Sequence, residues 1–195
     1  NSGLDSPDRL AYRALMSNEA VFRQAVEKFR GHYGVEPAVA AYAPGRVEIL
    51  GNHTDYNQGF VLSAAINFGH FFLAAPAPGP ECRLVAGDLM QEAAFSLEDP
   101  RPVPGAKWAS YVMGVAAQLG ERDPGRARPF MGLFFGNVPL GSGLSSSAAL
   151  EVSAGLAVSR LFGIEVPPVD LARIGQAAEH RYVGVRTGLL DQISS

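Results

Sequence analysis

Three polar clusters carry the residue types that could do chemistry. The first is Pro139-Leu-Gly-Ser-Gly-Leu-Ser-Ser-Ser-Ala-Ala-Leu-Glu151, in which a glycine-serine loop turns directly into a helical pattern. Gly141 and Gly143 allow backbone angles and close approaches that a side chain forbids, and the free N–H groups of a helix start attract an anion. The hydroxyls of Ser145, Ser146 and Ser147 could cap those amides, bind phosphate oxygens or hold a magnesium ion. Glycine and serine alone describe a serine-capped turn equally well.

The second cluster begins at Arg46, just after Pro44-Gly45, and continues across Gly51 into Asn52-His-Thr-Asp-Tyr56. Vicinal hydrogen-bonding groups at the end of a strand suit recognition of a polyol or sugar; an ordinary turn with a surface histidine is the plainer alternative. The third runs from Glu179 to Gln192. It holds Glu179 late in a helical pattern and Asp191 after Thr187-Gly-Leu-Leu190. Separately these residues read as a solvated helix position and a turn aspartate.

The elements that must position these groups can be read from periodicity. Apolar residues at helical spacing run from Asp5 to about Tyr33, with Ser17-Asn18-Glu19 as a break between two helices. Ala38 to Leu50 reads as strand, turn, strand, interrupted at Ala43-Pro44-Gly45. Phe68 to Ala75, Cys82 to Ala86 and Ala93 to Leu97 suit an antiparallel meander. Trp108 to Leu119 is helical, and Phe130 to Phe135 is a buried strand leading into the first cluster. The glycine-serine loop therefore joins a strand to a helix of about Ser146 to Phe162, which stops near Gly163. A further helix follows Pro167-Pro168 and ends near Val183-Gly184. Strands early and helices late predict an α+β layer fold.

Bulk properties narrow the function. The chain has 195 residues and a net charge of −3, enough length for one well-buried core and no excess of basic residues for nucleic-acid binding. Cys82 is the only cysteine, which excludes a disulfide framework and a cysteine metal site and predicts a reducing, cytoplasmic setting. No apolar run reaches a membrane span, and Asn1 to Pro7 lacks the pattern of a signal peptide. The expected partners are small molecules, with no nucleic acid and no membrane. Oligomeric state is not legible. Both ends read as cut from a longer chain.

Taken together, Pro44-Gly-Arg-Val-Glu-Ile-Leu-Gly-Asn-His-Thr-Asp-Tyr-Asn57, Pro139 to Leu150 and Gly188-Leu-Leu-Asp-Gln192 resemble, in order and approximate spacing, the GHMP small-molecule kinases. The first segment closely resembles the galactokinase signature, and Trp108 to Gly114 is similar as well. The resemblance covers about Ala41 to the end; the first 35 residues match only loosely.

The resemblance implies a ribosomal-protein-S5-like N-terminal lobe, with a mixed or antiparallel sheet and helices packed on one face, occupying residues 1–195, and a C-terminal lobe outside this chain. It implies transfer of the γ-phosphoryl group of ATP to the anomeric hydroxyl of galactose. The ATP phosphates map to Gly141, Ser142, Gly143, Leu144, Ser145, Ser146 and Ser147, and Mg²⁺ maps to Ser147 and Glu179. The aspartate and the transition-state arginine of the family map to Asp191 and Arg46, with Asp191 mainly orienting the hydroxyl and accepting its proton late. The sugar maps to Asn52, His53, Thr54, Asp55 and Gly188. Asn52 stands where the family usually has glutamate, an amide in place of an acceptor-only group, and Glu48 stands where asparagine is more usual. Asn52 keeps another sugar open as substrate. A non-catalytic sugar and ATP sensor is a further alternative, against which Arg46, Glu179, Asp191 and the serine triplet are all retained.

Overall fold

The computed structural model describes residues 16–51, 57, 59–139 and 142–195. Helix α1 (Asn18–Tyr33) starts at Ser17, whose hydroxyl accepts from the Ala20 N–H at 3.3 Å, and ends at Gly34 in the left-handed region with φ 70°. Strands β1 (Val39–Leu50), β2 (Leu62–Pro76), β3 (Cys82–Ala86) and β4 (Gln91–Phe95) follow. After them come α2 (Lys107–Arg122), β5 (Phe130–Gly136), α3 (Ser146–Phe162) and α4 (Pro168–Ala178). A π-helical turn (Glu179–Val183) and the short α5 (Leu190–Ser194) complete the described chain.

The strands form one mixed sheet in the order β1-β2-β5-β3-β4. All neighbours are antiparallel except β3 and β5, which run parallel. The expected meander is corrected here. β3 and β4 do form a hairpin, but β5 inserts between β2 and β3, carrying the buried run Phe130–Gly136 into the middle of the sheet.

The sheet is covered on both faces. Along β2, Leu73 and Ala75 point toward Val21, Ala25 and Phe29 of α1, whereas Phe72 and Ala74 join the core made with α2 and α3. The mixed sheet is as expected, but helices on one face alone is corrected, because the apolar stripe of α1 occupies the opposite face. Phe29 is fully buried there, which is worth about 1.5–3 kcal/mol of transfer free energy. Residues 5–15 of the first expected helical segment lie outside the described residues.

β1 runs unbroken through Ala43-Pro44-Gly45, where a strand break was expected. Pro44 pairs with Gly69, Arg46 pairs with Ala65, and the register shifts between them. β1 is an edge strand, so a residue without an N–H is tolerated, and the irregularity redirects the side chains that follow it. Among the described residues no helix is long and apolar enough to cross a membrane.

Candidate active site

The loop between β5 and α3 is anchored by Arg46. The Arg46 backbone N–H donates to the Leu144 carbonyl at 3.1 Å, and its Nη1 donates to the Gly143 carbonyl at 2.8 Å. Gly45 makes this approach possible: a Cβ there would lie 2.5 Å from the Leu144 oxygen. Gly143 has φ 72°, and Ser142 Oγ donates back to the Pro139 carbonyl at 2.7 Å. Gly141 lies outside the described residues.

Ser145 occupies the position before α3 but does not cap it. Its backbone is left-handed (φ 53°, ψ 46°), a conformation that only one other non-glycine among the described residues, Met90, adopts with positive φ. Its hydroxyl makes no hydrogen bond to the helix amides. The N–H groups of the first turn are therefore left without the side-chain acceptor that a serine cap supplies, as an anion site requires. Ser146 Oγ lies 2.8 Å from Nε2 of the buried His70. Ser147 is half-buried on the same first turn.

Asp191, at the start of α5, is gripped from two sides. Arg46 Nε donates to Oδ1 at 2.8 Å, Nη2 forms an ion pair with the same oxygen at 2.6 Å, and Ser145 Oγ donates to Oδ2 at 2.7 Å. The side chains of Arg46 and Asp191 are 12% and 27% exposed, so the pair is sheltered yet reachable by a ligand. A carboxylate has about four lone-pair sites, and these three donors leave room for one more. Gly188, half-buried, lies in the segment leading into α5.

Glu179 is buried at the start of the π-helical turn, a feature that often marks functional positions. Its Oε2 accepts from Thr187 Oγ1 and, at 3.2 Å, from Gln192 Nε2. Gln192 Nε2 also donates to Oε2 of Glu151 at 3.0 Å. Gly175 makes room for this contact, since a Cβ there would lie 3.0 Å from both the Gln192 and the Glu151 side chains. Glu151 and Gln192 were not singled out by sequence reasoning. The signal available was an acid inside the apolar run Ala148–Ala157, and a glutamine next to Asp191. Burial, then the charge of Glu179, pushes the Glu151 carboxyl well above the usual carboxylate range; the Gln192 hydrogen bond opposes this.

Ser147 precedes Glu151 by one helical turn, so both lie on one face of α3, and Glu151 meets Glu179. Glu179 therefore packs against the face of α3 that also carries Ser147, one turn beyond it. The hard oxygen donors of Ser147 and Glu179 suit Mg²⁺. Among the described residues no group of three or more His, Cys, Asp or Glu side chains could hold a metal. A cation here would take its other ligands from phosphate oxygens and water, as Mg²⁺ usually does.

The structure brings Arg46, Asp191, Ser145 and the loop backbone together, while Glu179 meets Thr187, Gln192 and Glu151. Asn52, His53, Thr54 and Asp55 lie outside the described residues, so of the expected sugar-binding residues only Gly188 is described.

Two family models match the chain: the galactokinase galactose-binding signature over residues 27–76 and the GHMP kinases N terminal domain over residues 110–195. A galactokinase of Actinobacillus succinogenes is 42% identical over 173 residues, covering 88% of this chain and 45% of the relative. A galactokinase of Haemophilus influenzae is 44% identical over 159 residues, covering 82% of this chain and 41% of its own length. The chain thus spans less than half the length of these relatives. Among solved structures, Lactococcus lactis galactokinase complexed with galactose superposes with a TM-score of 0.80 at 34% identity, covering 89% of this chain and 46% of that one. Methanococcus jannaschii mevalonate kinase shares the fold at 18% identity and a TM-score of 0.67, covering 80% of this chain and 50% of that one.

Proposed function

We propose that the chain is an N-terminal portion of a GHMP kinase bearing the galactokinase signature, and that the full-length protein transfers the γ-phosphoryl group of ATP to the anomeric hydroxyl of galactose. In this reading residues 1–195 form the N-terminal lobe, and a C-terminal lobe elsewhere in the full-length protein completes the cleft. The relatives' additional length supports that division. The expected cytoplasmic setting is retained as part of the proposal.

The observation that carries the reading is the grip of Arg46 and Ser145 on Asp191, beside a helix start that its own serine does not cap. The loop backbone around Ser142, Gly143 and Leu144 and the first-turn amides of α3 hold the phosphates, with the positive end of the helix dipole adding to the attraction. Ser147 and Glu179 are the side chains that would hold Mg²⁺. When bound, the ion neutralises charge on the phosphate oxygens.

Asp191 orients the sugar hydroxyl in line with the γ-phosphorus and accepts its proton as the new O–P bond forms. The bond from the γ-phosphorus to the bridging oxygen breaks, and its electron pair leaves with ADP. Charge in such a transfer is spread over three phosphoryl oxygens, so positioning and electrostatic stabilisation dominate. Arg46 supplies both, fixing Asp191 through Oδ1 and offsetting the developing charge. The sugar is held by Asn52, His53, Thr54, Asp55 and the backbone at Gly188. The intact pairing of Arg46 with Asp191 supports an enzyme in preference to a sensor.

The test is ATP consumption by the full-length protein over galactose, galactosamine derivatives, galacturonate and arabinose. Turnover highest with galactose supports the reading, whereas the absence of sugar-dependent ADP release overturns it.

A further inference from the structure

Ser145 belongs to the loop assigned to the phosphates, yet its hydroxyl is directed elsewhere. It donates to Asp191 Oδ2 at 2.7 Å and makes no bond to the amides of α3. Its residue is 9% exposed, so this donor is largely shielded from competing water. The backbone is held at φ 53°, where a non-glycine residue is strained, and such strain persists only where the surroundings impose it. The surroundings here are the Arg46 bonds to the Gly143 and Leu144 carbonyls on one side and the start of α3 on the other.

We infer that Ser145 is a positioning residue for Asp191, and not a ligand of the phosphates; the inference rests on the kinase reading above. A carboxylate bound through one oxygen alone can still swing the other about it, by coupled rotation at the Cα–Cβ and Cβ–Cγ bonds. Arg46 fixes Oδ1 and leaves that rotation open, because both of its nitrogens address the same atom. The Ser145 hydroxyl removes it by fixing Oδ2. The lone pair left on Oδ2 is thereby aimed at one direction, where the sugar hydroxyl has to sit for its proton to be accepted. The same loop that carries the phosphates thus sets the orientation of the base, so nucleotide and base share one frame.

The test uses the full-length protein and two substitutions. Ser145→Gly removes the hydroxyl and keeps the left-handed backbone, which glycine adopts freely; Ser145→Ala removes the hydroxyl and keeps the strain. A lost orienting contact is expected to lower kcat on the order of ten- to a hundredfold in both variants. KM for ATP and the affinity for Mg-ADP measured by calorimetry should stay within about threefold. In an Asp191→Asn background the effect of Ser145→Gly should nearly vanish, since the two residues then no longer act together. Raised KM for ATP with unchanged kcat would make Ser145 a phosphate ligand and overturn the inference. So would wild-type kinetics in Ser145→Gly, or an undiminished effect in the Asp191→Asn background. If the wild-type protein itself phosphorylates no sugar, the kinase reading fails and the inference falls with it.

Discussion

Arg46 places two guanidinium nitrogens on a single oxygen of Asp191, at 2.8 and 2.6 Å, while its third nitrogen holds the Gly143 carbonyl. One side chain therefore joins Asp191 to the glycine-serine loop, and β1 aims it there through the register shift that follows Pro44.

Lysine cannot reproduce this fork. It offers a point charge on a flexible stem, so it can meet Asp191 or Gly143 but not both in the same plane. Arg46→Lys in the full-length protein is expected to lower kcat about a hundredfold, the usual scale for losing an aimed electrostatic contact. Steady-state kinetics check this, and a variant within threefold of wild type removes Arg46 from the mechanism.

Gly45→Ala tests the close approach of strand and loop. The added Cβ would lie 2.5 Å from the Leu144 oxygen, a backbone atom that cannot swing aside. The expected cost is about 1–3 kcal/mol of stability, with weaker nucleotide binding because the loop is displaced. Urea unfolding and calorimetry with Mg-ADP measure the two effects.

Glu151→Gln probes the buried carboxyl pair. Burial and the neighbouring Glu179 raise the Glu151 pKa in the folded state, so the folded chain binds more protons than the unfolded chain above the ordinary carboxylate pKa. Stability from this group is full below that pKa and is lost as pH rises toward the folded value. Glutamine resembles the protonated form and does not ionise. In metal-free buffer, the wild-type chain should lose stability relative to Glu151→Gln over a pH range that starts at the ordinary carboxylate pKa and rises from there. Urea midpoints taken across that range check it, and a difference that stays constant with pH contradicts it.

Cys82 is fully buried on β3, and burial raises its thiol to about 12. The thiolate is the reactive form, so the native chain should resist a thiol reagent such as Ellman's reagent through pH 9 and react fully once unfolded. Absorbance of the released thiolate measures this. Because the folded pKa is raised, the stability attributable to Cys82 is full below about 9 and declines as pH climbs toward 12.

Much of the arrangement was legible in the chain because it depends on local pattern. The limits of α3 follow from a run of serines at one end and Gly163 at the other, and Arg46, Glu179 and Asp191 stand out as charged residues among apolar ones. What was not legible depends on distant neighbours. Pro44 reads as a strand breaker until β1 is known to be an edge, and the three runs from Phe68 to Leu97 read as a meander until β5 is seen between β2 and β3. The opposite placement of α1 is invisible because an amphipathic helix does not reveal which face of a sheet it covers. The direction of the Ser145 hydroxyl follows from a left-handed backbone that a serine sequence gives no reason to expect.

In the proposed transfer, Asp191 takes the proton of the sugar hydroxyl. Asp191→Asn keeps the size of the side chain and can still accept from Arg46, but its amide cannot take up that proton. Turnover of galactose and ATP by the full-length variant, compared with wild type at saturating substrates, is the most direct measurement. The expected result is a loss of at least about a hundredfold in kcat with Mg-ADP affinity little changed. A kcat within a few-fold of wild type contradicts it.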